Sequence, residues 1–160
     1  MKKNPFILDS LGIASIFVCT SIFLIPVGVW GYITMGDAMI MLFASISYPF
    51  HAFFIGAIGS FLADLIFAPS YAIFTFFIKG AEAMIIAFLC KRSKKTYFIP
   101  FLIGGLAVII GYACTDIFLT NQIISVFPSM GINSFQIGIC ILIAMCLTPL
   151  FHRFYHFYKR

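Results

Sequence analysis

The fold of this chain depends on residues 36–67, which read GDAMIMLFASISYPFHAFFIGAIGSFLADLIF. As a single helix these residues would extend about 48 Å, whereas the hydrocarbon core of a bilayer is about 30 Å thick. Pro49 provides a break, because a proline ring clashes with the preceding turn of a helix. The stretch therefore predicts two short helices, over residues 36–49 and 51–68.

The rest of the chain is equally apolar. Of its 160 residues, 62% are hydrophobic and 9% are charged, whereas soluble domains have about 25% charged residues. A water-soluble fold of this size could not bury so much apolar surface. Four more spans are predicted, at 9–28, 71–90, 97–119 and 133–155. We therefore predict an all-α integral membrane protein, a compact bundle of six transmembrane helices that forms a single domain over residues 1–160.

The basic residues predict how the bundle is oriented. Nine of the ten Lys and Arg residues lie in three clusters, at residues 2–3, 91–95 and 153–160. Cytoplasmic segments of membrane proteins retain Lys and Arg, and six spans place all three clusters on one side. Both termini are therefore predicted to be cytoplasmic. These clusters account for the net charge of +5, which we do not interpret as a sign of nucleic-acid binding.

The sequence contains no pattern typical of a catalytic or metal centre. It has no ATP-binding G-x-x-x-x-G-K-[ST] loop, and HExxH, GxSxG and CxxC are absent. The five cysteines are interpreted as small apolar side chains in helix packing. His152 and His156 are four residues apart, but their basic and aromatic surroundings favour anchoring at the membrane interface over metal binding. We therefore predict no catalytic residue, no metal and no cofactor, so that an ion gradient or another subunit would have to supply energy.

Charged residues within the apolar spans indicate a buried cluster. Lys79 and Glu82 are three residues apart and therefore share one face of the fourth predicted helix. Each charge near the bilayer centre costs about 2.5–3.5 kcal/mol on insertion scales, so both side chains should point into the bundle. Asp64 approaches from the third helix across the short turn at 68–70, which makes an Asp64–Lys79 contact geometrically easy.

Two interpretations of these charges remain open. In the first, they form an ion-pair network that only fixes helix packing. In the second, they line a polar pocket that opens to the outer side and binds a small molecule. The residues predicted to line this pocket are charged, aromatic or amide-bearing: Lys79, Glu82, Asp64, Asp116, Tyr112, Trp30, Tyr32, Asn121, Asn133 and Gln136. Trp30 and Tyr32 could equally be belt residues at the membrane interface.

Two further features concern a helix start and helix packing. Asp37, next to Gly36, lies in the first turn of the second predicted helix, where an acid complements the helix dipole. It could also hold the first outer loop over the pocket. The third helix has small residues at four-residue intervals, at Ala52, Gly56 and Ser60. Because such residues allow helix backbones to approach closely, this helix is expected to be central.

Three segments give the chain a resemblance to a known family. GYITMGDA at residues 31–38, GSFLADL at 59–65 and FTFFIKGAE at 74–82 are similar, in order and spacing, to the S components of energy-coupling-factor (ECF) vitamin transporters. Within these, the chain most resembles the branch of proposed hydroxymethylpyrimidine and pyridoxine carriers. The resemblance implies a six-helix subunit of the bacterial cell membrane that captures a vitamin at the outer face. It also implies a transmembrane coupling subunit and two cytoplasmic ATPases as partners.

The chain departs from the family pattern at two places. The first helix of family members usually presents an alanine-x-x-x-alanine patch to the coupling subunit. This chain offers Ala14 with Val18, or Ser15 with Cys19, as the docking residues. Thr34 stands where relatives often have Asn, so a hydrogen bond of the first outer loop is expected to differ.

The sequence supports more than one function. The expected ligand is B6-like or hydroxymethylpyrimidine-like, with riboflavin or another vitamin as alternatives. A stand-alone carrier driven by protons, with Glu82 or Asp64 as the relay, is a second function. A structural or assembly membrane protein without a ligand is a third.

Overall fold

The computed structural model describes residues 5–27, 32–92 and 96–159, and helices dominate these ranges. The helices are α1 (Pro5–Ile22), α2 (Gly36–Ile46), α3 (Pro49–Phe67), α4 (Ala72–Arg92), α5 (Phe98–Thr120) and α6 (Val126–Lys159). A short antiparallel pair of strands, β1 (Ile25–Pro26) and β2 (Tyr32–Ile33), lies between α1 and α2. A 3-10 turn at Ile123–Ser125 precedes α6.

Four of the described helices are long and apolar enough to cross a membrane, namely α3, α4, α5 and the helical stretch that contains α6. The apolar helices α1 and α2 are shorter. With 11 residues, α2 extends only about 16 Å, roughly half of the hydrocarbon core. The described residues form six α-helices, the number that was predicted, while the six crossings and the cytoplasmic termini stay predictions.

The predicted break in residues 36–67 is confirmed. The helix α2 ends at Ile46, and α3 begins with Pro49 as its first residue. Tyr48 has an extended backbone (φ −76°, ψ 149°), as sterics require for a residue before proline. The proline costs nothing at this position, since the first N–H of a helix has no partner within the helix.

Two predicted boundaries are wrong. The first helix ends at Ile22 rather than near residue 28, because the chain then forms β1 and pairs Ile25 with Ile33. The last helix begins at Val126 rather than near residue 133. Pro128 lies in its first turn, where a missing N–H is tolerated. Much of the segment between the predicted spans 97–119 and 133–155 is therefore helical.

The helix α3 packs closely on both of its neighbours. A Cβ atom on Gly56 would lie 2.7 Å from the Lys79 carbonyl oxygen of α4, and one on Gly59 would lie 3.0 Å from the Ile13 carbonyl oxygen of α1. Such distances leave no space for a larger side chain. The predicted close approach of helix backbones at these small residues is confirmed.

The two ends of the bundle differ in charge. The C-terminal ends of α4 and α6 carry four basic residues, Lys91, Arg92, Arg153 and Lys159. There the Lys91 ammonium lies 3.2 Å from the centroid of the Tyr48 ring. Lys2, Lys3, Lys94, Lys95 and Arg160 lie outside the described residues. The opposite end gathers the N-terminal parts of α2, α4 and α6, and it contains a cavity.

Candidate functional site

A cavity of about 410 Å³ lies between the helices, and every one of α1 to α6 contributes to its wall. Its lining combines carboxylates, hydroxyls and amides with apolar side chains such as Phe67 and Ile132. Seven of the residues predicted to bind a ligand line it: Lys79, Asp64, Asp116, Tyr112, Tyr32, Asn133 and Gln136. The polar pocket predicted from the sequence thus has a matching cavity.

Lys79 is neutralised by a residue other than the one expected. Its ammonium group forms an ion pair with Asp37, and both side chains are buried. Glu82 approaches the same nitrogen to 3.8 Å. The easy Asp64–Lys79 contact is therefore not the pair that forms. Asp37, for which the sequence favoured a role at the helix dipole, lies in the cavity wall because the start of α2 packs against α4.

Gln136 connects the Lys79–Asp37 pair to the loop before α2. Its amide nitrogen donates to Asp37 Oδ2 at 2.7 Å, and its amide oxygen accepts from the Thr34 backbone N–H at 2.8 Å. The Cys140 thiol lies 3.6 Å from the Thr34 carbonyl oxygen. Since buried polar groups need partners, these bonds fix the loop onto α6. Gln136 accepts from the backbone N–H of Thr34. This bond therefore does not depend on the Asn side chain that relatives often have at this position.

Asp64 accepts hydrogen bonds at both of its oxygens. The Tyr32 hydroxyl donates to one oxygen and the Thr75 hydroxyl donates to the other. The Tyr112 hydroxyl lies 2.9 Å from Thr75 Oγ1. Because Thr75 gives its only proton to Asp64, Tyr112 must be the donor in that bond. The bonds join β2, α3, α4 and α5 around one carboxylate.

Asp116 also accepts a hydrogen bond from a hydroxyl group, but from a different residue than Asp64 does. The Tyr71 hydroxyl, in the turn between α3 and α4, donates to Asp116 Oδ1 at 2.6 Å. Burial raises the pKa of Tyr71, and the neighbouring Asp116 carboxylate raises it further. Burial and Asp64 likewise raise the pKa of Tyr32. Both phenols therefore remain protonated donors at neutral pH.

Glu82 does not line the cavity, contrary to its predicted role in contacting a ligand. Its side chain is 0% exposed, and neither carboxyl oxygen has a hydrogen-bond partner among the described residues. It lies three residues after Lys79 on α4, which places it about 4.5 Å further along the helix axis. Glu82 therefore shares a helix face with Lys79 but lies at a different depth in the bundle.

The sequence analysis missed several hydroxyl-bearing residues of the wall: Thr20, Ser60, Tyr71, Thr75 and Ser129. For three of them a signal existed. Tyr71 and Thr75 precede Lys79 by eight and four residues, so the three would share one face of the helix predicted over 71–90. Ser60 belongs to the small-residue stripe of the third helix and precedes Asp64 by four residues. Thr20 and Ser129 come from helices whose inward faces the sequence does not identify.

The comparisons with known proteins agree with this architecture. The family model described as ECF-type riboflavin transporter, S component, matches residues 6–153. This chain belongs to that family. A solved structure, described as the S component of a bacterial ECF transporter, superposes with a TM-score of 0.71 over the whole of both chains. Because the identity is only 17%, this match supports a shared fold and nothing beyond the fold.

A curated relative of this S component is an "Uncharacterized protein in gap 3'region" from Pyrococcus woesei. It is 39% identical over 84 residues, which are 51% of this chain. The match spans 57% of that relative's length. The family comprises transporter subunits rather than enzymes. The narrower hydroxymethylpyrimidine or pyridoxine branch is not confirmed, since the matching family model is of the riboflavin type.

The other residues singled out from the sequence have varied places in this S component. Asn121 is exposed at the C-terminal cap of α5 in a left-handed conformation (φ 54°) and does not line the cavity. Gly36 is buried, and a Cβ there would lie 2.2 Å from Thr20 Oγ1. Trp30 lies outside the described residues. His152 lies 3.0 Å from Ser45 Oγ, and the described residues contain no group of three potential metal ligands.

The predicted docking residues divide between two environments. Ala14 and Val18 are exposed on the outward face of α1, whereas Ser15 and Cys19 are half-buried. Of the two pairs that the sequence offered, Ala14 with Val18 is the more accessible.

Proposed function

We propose that this S component captures a small water-soluble vitamin or vitamin precursor in its cavity. The observation that carries the proposal is the cavity itself, about 410 Å³ in volume, with polar groups held by hydrogen bonds among apolar walls. Binding sites for small molecules typically have this combination. Riboflavin is a candidate because of the family, and B6-like or hydroxymethylpyrimidine-like molecules are candidates because of the sequence resemblance.

The cavity is proposed to open to the cell exterior. The described basic residues Lys91, Arg92 and Arg153 lie at the other end of the bundle, and such residues stay in the cytoplasm. The chain would then lie in a bacterial cell membrane with its ligand site outside. A transmembrane coupling subunit and two cytoplasmic ATPases would complete the transporter.

A binding experiment tests the proposal. The purified chain in detergent is titrated with riboflavin, pyridoxine and hydroxymethylpyrimidine, and small molecules that co-purify with it are identified by mass spectrometry. We expect saturable binding of a vitamin-sized molecule. Correctly folded protein that retains nothing and binds none of the three would contradict the proposal and favour a structural role.

A proton-driven carrier is the second candidate, and Glu82 is the observation that favours it. This acid is fully buried beside Lys79 and has no hydrogen-bond partner among the described residues. Acids in such positions are typical of proton relays in transporters. Vesicles that contain this chain alone decide the question: uptake that follows a pH gradient and is lost in Glu82→Gln supports the carrier, and no uptake contradicts it.

A further inference from the structure

The acidic and basic groups of the cavity wall do not balance. Three aspartates and one lysine line it. Lys79 is paired with Asp37, and that pair has no net charge. Asp64 and Asp116 form no ion pair with any described residue, since their described partners are hydroxyl groups. The wall therefore has two carboxylates without a cation.

Asp64 is surrounded by hydroxyl groups rather than by cations. The Tyr32 hydroxyl donates to one of its oxygens and the Thr75 hydroxyl to the other. Hydroxyl donors orient a carboxylate and stabilise it without removing its charge. A nearly buried carboxylate without a cation is costly, so a positively charged ligand would gain from this arrangement.

Aromatic rings beside the two carboxylates suit the same ligand. The Tyr71 and Tyr112 rings lie 6.5 Å apart between centroids, and Tyr71 donates to Asp116. The Lys79 ammonium already lies 5.4 Å from the centroid of the Tyr112 ring. Faces of aromatic rings attract cations. The two carboxylates and the neighbouring aromatic rings thus favour the same kind of ligand, a cation.

We infer that the ligand of this cavity carries a positively charged nitrogen, as a protonated amine or a cationic heterocycle, held by Asp64 and Asp116. The inference rests on the proposed function and names its substrate class. A neutral vitamin would leave both charges uncompensated. An anionic, phosphorylated vitamin would be repelled by both of them.

The test compares two molecules that differ in one group. Pyridoxamine has a protonated aminomethyl group where pyridoxine has a hydroxymethyl group. Isothermal titration of the full chain in detergent should show pyridoxamine binding about 10- to 100-fold tighter, as for a charged hydrogen bond. Thiamine serves as a permanently cationic probe without an aminomethyl group, and riboflavin serves as the neutral probe from the family.

Variants separate charge from a general loss of binding. Asp116→Asn keeps the size of the side chain and should reduce the pyridoxamine-to-pyridoxine preference about tenfold. Asp64→Asn should act in the same direction and gives a second measurement if one variant fails to fold. Asp9→Asn is the matched control, because Asp9 contacts His51 at the other end of the bundle and should leave the preference unchanged.

Each outcome decides between the inference and the function on which it rests. Riboflavin binding tighter than pyridoxamine and thiamine would overturn the cationic ligand and leave vitamin capture intact. Equal loss of both B6 forms in Asp116→Asn would also overturn it. If folded protein binds none of the four probes and retains no small molecule, the proposed function fails and the inference fails with it.

Discussion

At the scale of single residues, the burial of the Lys79 ammonium group explains why Asp37 lies in the cavity wall. A buried ammonium needs a carboxylate within contact distance, and Asp37 provides it from the start of a different helix. Gln136 holds that carboxylate in place through its other oxygen. The other two acids of the cavity wall, Asp64 and Asp116, have hydroxyl donors as their described partners.

The Lys79–Asp37 pair gives the first prediction. Asp37→Asn leaves the ammonium buried with only Glu82 at 3.8 Å, which should cost about 3–5 kcal/mol of unfolding free energy. Adding Lys79→Met should recover much of this loss, because no unpaired cation then remains. Denaturation of the purified variants in detergent measures both effects. A double variant no more stable than Asp37→Asn would show that the pair is misassigned.

The hydroxyl chain gives the second prediction. Thr75→Val removes the donor to Asp64 and the acceptor of Tyr112, which should cost about 1–3 kcal/mol and weaken ligand binding. The matched control is Thr115→Val. Thr115 is also buried, but its hydroxyl donates only to the Gly111 carbonyl of its own helix. Equal effects of the two variants on binding would contradict a role for the chain at the site.

At the scale of helices, contacts with the backbone determine where the side chains lie. The close approach of α3 to α4 occurs at Gly56, directly against the carbonyl group of Lys79. The same approach brings Asp64 of α3 within reach of Thr75 on α4. A change in the distance between these two helices would therefore alter the site as well as the packing.

The third prediction compares two glycines. Gly56→Ala places a Cβ 2.7 Å from a backbone oxygen, so it should lower the unfolding temperature in detergent and weaken ligand binding. Gly138→Ala on α6 is the control, since nothing lies within 4 Å of its Cβ position. There the better helix propensity of alanine, by about 1 kcal/mol, should leave stability equal or slightly higher. A Gly56→Ala variant as stable as wild type would show that α3 and α4 are further apart than the 2.7 Å approach at Gly56 implies.

At the scale of the whole molecule, the side chains on the outward faces determine which surfaces suit lipid and which suit a partner helix. They carry large apolar side chains such as Phe118 and Leu142, which suit lipid. The outward face of α1 is different where Ala14 reduces its bulk. A partner helix can approach closely at such a position.

The fourth prediction concerns docking. Ala14→Trp should leave ligand binding unchanged and reduce uptake in cells that also contain the coupling subunit and ATPases, because the bulky ring blocks close helix contact. The control is Leu142→Trp on α6, whose side chain is 69% exposed and replaces one large apolar group by another. Similar uptake for the two variants would contradict docking at Ala14.

Sequence alone determined the helical membrane architecture, the break at Pro49 and seven of the residues that line the cavity. These properties depend on hydropathy, on the cost of buried charge and on proline geometry, which act locally along the chain. Tertiary structure decided that Lys79 pairs with Asp37, that Glu82 lies outside the cavity and that α6 begins at Val126. Such outcomes depend on the depth and rotation of each helix against its neighbours, which no local pattern of residues specifies.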